Sequence, residues 1–123
     1  MKVVIAGPRD FVPSSAIISK AIQASGFNIT ELVCGGAPGV DSGAEMYCYD
    51  RGIPTTGADY YVPRWVWLYV GRKAGPIRNS YMAEYGDALI VIRDKISAGT
   101  NSMIKEMTKK KKPVYVYDVR EKS

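Results

Sequence analysis

The feature that most constrains this chain is the alternation of short, apolar, β-branched runs with segments of helical periodicity. The apolar runs are KVVIA, ELVC, ALIVI and PVYVY, at Lys2–Ala6, Glu31–Cys34, Ala88–Ile92 and Pro113–Tyr117. Short continuous apolar runs are typical of strands that are buried on both faces. Such strands form parallel sheets, because only crossover helices cover both faces. The alternation therefore predicts an α/β fold.

The segments between the runs have the apolar spacing and end signals of helices. We predict helices that open at Pro13–Ser15 and stop at Gly26, and that span Val40 to Arg51, Ile77 to Tyr85 and Thr100 to Lys111. A weaker third strand is predicted within residues 54–61. Right-handed crossovers favour the strand order 3-2-1-4-5. We expect residues 1–123 to form a single Rossmann-like domain, with a parallel sheet and helices on both faces.

The stretch from Tyr60 to Tyr69 is dense in aromatic residues, and we predict a loop or irregular excursion there. Aromatic rings of this kind stack on nucleobases. They also pack in cores and anchor dimer contacts. The sequence leaves these alternatives open, and a homodimer is one of the expectations.

The absence of histidine excludes several chemistries. The chain has no histidine and two cysteines, Cys34 and Cys48. This excludes Ser-His-Asp and Cys-His nucleophile systems and most zinc sites. We predict neither a metal nor a cofactor. No signal pattern or membrane-spanning run is present. We expect a cytoplasmic protein that makes no membrane contact, with both thiols reduced and buried.

The net charge of +5 favours anionic partners. Part of the excess comes from Lys109 to Lys112, which we interpret as the last turn of a helix. Lysines there complement the helix dipole. A nucleic-acid patch is the alternative, and we do not expect nucleic acid to be the partner.

Glycine-bearing turns follow several of the strands. They are Gly7 to Asp10, Gly35 to Asp41 and Ser97 to Thr100. The carboxyl ends of parallel strands meet at one edge of a sheet, so we expect these turns to converge. Glycine lets the backbone approach a ligand, and helix N-termini present N–H groups to an anion. The convergence predicts a phosphate site, whereas each turn taken alone is also explained by tight turning.

Two arginines are the best charged candidates: Arg9 lies in the first of these turns, and Arg78 stands near the start of the helix predicted from Ile77. Arg9 and Arg78 suit bidentate phosphate binding, with surface ion pairs as the alternative. Asp10 and Asp41 can accept ribose hydroxyls, although Asp41 also suits the first turn of a helix. GGAPG is not G-x-G-x-x-G, and no G-x-x-x-x-G-K-[ST] occurs. An ordinary dinucleotide dehydrogenase or P-loop enzyme is therefore not expected.

The motifs GPRDF, GGAPGVD, AGPIRNSYMAEYGDALIVI and the later AGT resemble the YspA-like branch of the SLOG superfamily, over nearly the whole chain. The resemblance implies a Rossmann-like fold and a nucleotide-derived ligand such as ADP-ribose. It also implies a set of ligand-binding residues, which are Gly7, Arg9, Asp10, Gly35, Gly36, Gly39, Asp41, Arg78, Asn79, Gly99 and Thr100. Pro38 departs from the family pattern, which often has arginine there.

The chain also resembles the LOG phosphoribohydrolases, though more distantly. The catalytic glutamate of their motif falls at Ser102, which cannot act as a carboxylate does. Our first hypothesis is therefore a sensor or sequestering module for a nucleotide-like ligand. The alternatives are a nucleotide N-glycosidase, and single-stranded DNA binding by analogy with the DprA branch of the superfamily. Whether the chain is an enzyme stays open at this point.

Overall fold

The computed structural model describes residues 1–35, 39–57, 64–94 and 98–119. Within these ranges the chain forms a five-stranded sheet. Strands β1 to β5 are Lys2–Ala6, Glu31–Val33, Thr55–Thr56, Ala88–Arg93 and Val114–Asp118. Helices α1 to α5 are Ser15–Ser25, Val40–Asp50, Arg64–Val70, Ala74–Tyr85 and Ala98–Lys109. A 3-10 turn at Gly71–Lys73 joins α3 to α4.

The strand order is β3-β2-β1-β4-β5, and every neighbouring pair is parallel. This confirms the predicted α/β class and the predicted order. The chain runs from β1 outward through β2 to β3, and then returns to place β4 on the other side of β1. The carboxyl ends of β1 and β4 therefore flank the point where the strand order reverses, which is where open α/β sheets bind ligands.

Each face of the sheet is covered by an apolar core. Side chains alternate between the two faces along a strand, so Val3 of β1 belongs to one core and Val4 to the other. The first core includes Ala44 of α2, and the second includes Met82 of α4. Because both faces are covered, the strands are apolar at consecutive positions, as the sequence indicated.

The first helix begins and ends at the predicted signals. The Ile17 N–H donates to the Ser14 hydroxyl at 3.3 Å, which caps the N-terminus of α1. At the other end Gly26 takes a left-handed conformation with φ +75°, and its N–H donates to the Gln23 carbonyl. Local capping chemistry is therefore enough to explain the bounds of this helix.

The predicted loop over the aromatic stretch is wrong from residue 64 onward, because α3 is a helix there. Val66 and Val70 are one helical turn apart and pack against the second core. Leu68 and Tyr69 of the same helix are 86% and 88% exposed. The many aromatic residues around Val66 and Val70 made this i, i+4 apolar pair hard to recognise in the sequence. Residues 58–63 of the stretch lie outside the described residues.

The predicted third strand is present at Thr55–Thr56, within residues 54–61, and residue 57 lies outside it. The start of α4 differs from the prediction. Helix α4 begins at Ala74, ahead of the predicted Ile77, so Pro76 lies in its first turn. A proline is tolerated there because the first N–H groups of a helix have no intrahelical partner.

Candidate functional site

The turn after β1 packs tightly against its neighbours. A Cβ on Gly7 would lie 2.0 Å from the Ile92 carbonyl oxygen and 2.6 Å from Val40 Cγ2. No side chain fits in that space, so the glycine lets the end of β1 lie against both β4 and α2. Close packing alone explains this residue, and its predicted contact with a ligand stays a prediction.

Gly39 joins the turn after β1 to the turn after β2. It is the N-cap of α2 and has φ +83°, a conformation that side chains rarely adopt. A Cβ there would lie 2.3 Å from the Pro8 carbonyl oxygen, and the Val40 N–H donates to that oxygen at 3.2 Å. Two of the predicted glycine turns are therefore in direct contact.

Arg9 and Asp10 lie at the outer end of the first turn, and both are exposed. The backbone of Arg9 contacts Gly39, since its carbonyl carbon is 2.6 Å from the position of a Cβ on that glycine. This contact fixes the backbone of Arg9 at the rim of the sheet, and the residue is exposed there. Exposure there suits a residue that meets a ligand, although it also suits a surface charge.

A charged cluster forms where the turn after β2 meets α2 and α4. A Cβ on Gly35 would lie 3.0 Å from Asp41 Oδ2 and 3.2 Å from Arg78 Cζ. Arg78 Nη1 also donates to the Gly35 carbonyl oxygen at 3.2 Å. Asp41 is buried, at 6% exposure, in the first turn of α2. The missing side chain of Gly35 is what lets these opposite charges approach the same point.

Asn79 links this cluster to α5. Arg78 Nη2 is 3.5 Å from Asn79 Oδ1, and Asn79 Nδ2 donates to the Ser102 hydroxyl at 3.2 Å. Asn79 is 7% exposed, so these contacts satisfy a buried amide. Ser102 is the position that matches the catalytic glutamate of the LOG enzymes. Here it supports the contact between α4 and α5.

The third predicted turn is described in part. Gly99 and Thr100 lie in the first turn of α5, and Thr100 is buried at 4% exposure. Residues 95–97 and Gly36 lie outside the described residues. The structure therefore brings Gly35, Asp41, Arg78 and Asn79 into one cluster. It joins this cluster through α2 to Gly7, Arg9 and Gly39.

Polar residues at the ends of β4 and β5 escaped the sequence analysis. Arg93 Nε lies 3.8 Å from Asp118 Oδ2, and these two residues are register partners. Asp94 follows directly, and its Oδ1 is buried without a hydrogen-bond partner among the described residues. Their signal was available, since each stands at the carboxyl end of an apolar run.

Glu45 is another residue that the sequence analysis did not assign to the site. It lies one turn after Asp41 on α2, and its Oε1 accepts a hydrogen bond from the Cys34 thiol at 2.7 Å. It also lines an open cavity of about 580 Å³, together with Met46, Tyr49 and the segment Ile53–Thr55. This cavity lies towards β3, away from the point where the strand order reverses.

Cys48 and Glu31, which lie outside the cluster of Gly35, Asp41, Arg78 and Asn79, have shifted pKa values. Burial raises the pKa of the Cys48 thiol to about 11. Hydrogen bonds from the hydroxyls of Tyr85 and then Thr56 lower the pKa of Glu31. Cys34 and Cys48 are both buried, as predicted. A buried, protonated thiol such as that of Cys48 is a poor nucleophile.

The lysine run differs from its predicted role. Helix α5 ends at Lys109, so the following lysines lie beyond it. Lys112 Nζ donates to carbonyl oxygens at the end of a different helix, α4, at 2.7, 2.8 and 2.7 Å, those of Ala83, Glu84 and Gly86. Lys110 Nζ lies 3.4 Å from Glu84 Oε2. Much of this positive charge is therefore used within the chain itself.

The described residues contain neither a metal-binding cluster nor a helix suited to cross a membrane. No group of three or more His, Cys, Asp or Glu side chains in these ranges is placed to hold a metal ion. None of the helices in the same ranges combines the length and the apolar character that crossing a bilayer requires.

The fold and its carboxyl edge define a Rossmann-like α/β domain with glycine-bearing turns at the reversal of strand order. No family model and no curated protein matches the sequence. Among solved structures, the chain is similar to DNA processing protein A (DprA) from Streptococcus pneumoniae, with a TM-score of 0.69 and 22% identity. The match covers 94% of this chain and 49% of that chain, so this chain spans about half of its structural relative.

This likeness concerns the fold. It agrees with the expected Rossmann-like architecture. The resemblance to the SLOG superfamily and to its YspA-like branch stays a prediction, as do the ligand-binding roles of the individual residues and the homodimer.

Proposed function

We propose that this chain binds a nucleotide or a nucleotide-derived ligand such as ADP-ribose by its phosphate, at the carboxyl edge of the sheet, as a sensor or sequestering module. The observation that carries the proposal is the meeting of Gly35, Asp41 and Arg78 beside the first turn of α2. These residues come from separate parts of the chain, and each was selected from the sequence as a ligand contact.

The chemistry of this corner suits an anion. The N-cap of α2 is Gly39, which offers no side chain to cap the first turn. Helix N-termini attract phosphate through their N–H groups and their dipole. Arg78 adds a guanidinium, which remains charged and can bind two phosphate oxygens. The hydrogen bond from Arg78 Nη1 to the Gly35 carbonyl oxygen holds that guanidinium in place before a ligand arrives.

Titration calorimetry with AMP and ADP-ribose tests the proposal. We expect saturable binding, and a loss of about 10- to 100-fold in affinity for Arg78→Ala, because a charge-assisted hydrogen bond is removed. Arg51→Ala is the matched control. That arginine lies at the opposite end of α2, where it stacks on Tyr47 at 3.7 Å. Equal weakening by both variants, or no binding of either ligand at about 1 mM, would refute the proposal.

Single-stranded DNA is the second candidate ligand. The sequence argued against nucleic acid, but the fold likeness to a DNA processing protein over 94% of the chain reopens the question. The lysine run gives this candidate little support, since Lys110 and Lys112 are engaged within the chain. Exposed rim residues such as Arg9 would have to carry the contact.

Fluorescence anisotropy with a labelled oligonucleotide decides between the candidates. DNA binding through phosphates falls steeply with salt, whereas binding of a small nucleotide in a built site depends on salt far less. If the oligonucleotide binds at low salt and AMP does not compete with it, the DNA candidate prevails. Unchanged anisotropy at low salt removes it.

A further inference from the structure

Asp94 stands out among the polar groups that the phosphate site leaves unused. It follows β4 directly, and β4 is the neighbour of β1 across the point where strand order reverses. The close contact between Gly7 and the Ile92 carbonyl holds the first glycine turn against this end of β4. Asp94 is therefore at the same rim as the turn from Gly7 to Asp10.

The carboxylate of Asp94 has an incomplete set of contacts. Its Oδ1 is buried and accepts no hydrogen bond from the part of the chain that the structure describes. The adjacent Arg93 lies across the strands from Asp118, with its Nε 3.8 Å from Asp118 Oδ2. A buried carboxylate oxygen without a partner is costly, and native proteins retain such atoms where a water, an ion or a ligand completes them.

We propose that Asp94 accepts a hydrogen bond from a ribose hydroxyl of the bound ligand and so makes the site selective for ribonucleotides over 2′-deoxyribonucleotides. The inference rests on the proposed function, since it requires a phosphate to be held at the same rim. An acidic residue that accepts from the ribose 2′-hydroxyl is a recurrent device in Rossmann-like sites. Here the acceptor stands across the reversal point from the turns that follow β1 and β2.

The selectivity has a definite expected size. A ligand that lacks the hydroxyl leaves the buried oxygen unsatisfied, whereas the ribose form satisfies it. Hydrogen bonds to charged groups correspond to about 10- to 100-fold in affinity. Sites built to bind a hydroxyl discriminate strongly against analogues without one. We expect AMP to bind at least about ten times more tightly than 2′-deoxy-AMP.

The test compares these two nucleotides by calorimetry on the full chain and three variants. Asp94→Ala is expected to bind both with equal affinity. Asp94→Asn, which keeps a carbonyl acceptor, is expected to retain part of the preference. Asp87→Ala is the matched control at the opposite end of β4, where the aspartate accepts a hydrogen bond from the Lys2 N–H. It should keep the full preference.

The outcomes separate this inference from the proposed function. If the unmodified chain binds neither nucleotide, the proposed function fails and the inference falls with it. If it binds both equally, or if Asp94→Ala keeps the preference, the phosphate site stands and the role of Asp94 is overturned. A preference that disappears with EDTA also overturns it, because a cation would then be the partner of Asp94. The melting temperature of ligand-free Asp94→Ala should equal or exceed that of the unmodified chain.

Discussion

Replacing Lys112 by methionine should destabilise the fold far more than the same change at Lys109. The Lys112 ammonium donates to backbone oxygens at the end of α4, those of Ala83, Glu84 and Gly86, at 2.7 to 2.8 Å. Helix ends leave carbonyl groups without intrahelical partners, and a cation there also complements the helix dipole. Methionine keeps most of the apolar stem and removes all of these contacts.

The magnitude follows from the number and kind of contacts. A hydrogen bond to a charged group contributes about 1.5–3 kcal/mol net. The contacts share one ammonium that is partly accessible to water, so their contributions do not add fully. We expect Lys112→Met to lower the free energy of unfolding by about 2–4 kcal/mol. For a domain of this size that corresponds to a fall of roughly 8–16 °C in melting temperature.

Urea unfolding followed by circular dichroism measures this difference. Lys109 is the control, since its side chain is 75% exposed and its nitrogen is 4.0 Å from Glu106 Oε1. Exposed pairs of that kind contribute about 0–1 kcal/mol. The unfolding slope should stay constant, so that the midpoint alone reports stability. If the two variants lose the same stability, or Lys112→Met loses less than about 1 kcal/mol, the assignment of Lys112 as the cap of α4 is wrong.

The remaining predictions concern one backbone position and two titrating groups. Gly39→Ala should lower the free energy of unfolding by at least about 1–3 kcal/mol in urea unfolding, because φ is +83° and a Cβ would lie 2.3 Å from Pro8 O; an unchanged midpoint would contradict this. The Cys48 thiol should react with iodoacetamide at pH 8 far more slowly in the native chain than in urea, since its pKa is raised to about 11; equal rates would contradict that. The same shift keeps the native thiol protonated where the unfolded thiol ionises, so this group should lower stability as pH rises from 9 towards 11. The pKa of Glu31 is lowered mainly by the Tyr85 hydroxyl, so the stability that this contact provides is present above the ordinary pKa and lost as pH falls below it. Tyr85→Phe should therefore reduce the difference in melting temperature between pH 7 and pH 3, and an unchanged difference would count against the contact.

Some structural features could be read from the sequence because their causes are local or repeated. Ser14 and Gly26 set the two ends of α1 through hydrogen bonds to residues only three positions away. The helical segment 64–70 was missed, because its stabilising feature is the packing of Val66 and Val70 on the second core. A single apolar pair is a weak signal in a stretch of aromatic residues. Tertiary burial then decides whether such a segment is helical.

In the candidate site, too, some residues could be predicted from the sequence and others could not. Gly35 and Asp41 were predicted from the rule that strand ends converge, and Arg78 from its guanidinium at a predicted helix start. The structure brings these residues to one point. The position of Asp94 at the end of an apolar run is visible in the sequence, but the burial of its Oδ1 without a hydrogen-bond partner among the described residues is not. That property depends on which groups surround the atom, and therefore on contacts between residues distant in sequence.

The sequence by itself determined the class of fold and the strand order. Strand burial, helical spacing and the right-handed crossover are general constraints, and they leave few topologies for this pattern. Only the tertiary structure decided which charges meet, that Lys112 caps α4, and that Asp94 Oδ1 is buried without a hydrogen-bond partner among the described residues. These outcomes depend on ångström-scale distances between separate elements, and such distances are set by packing rather than by residue pattern.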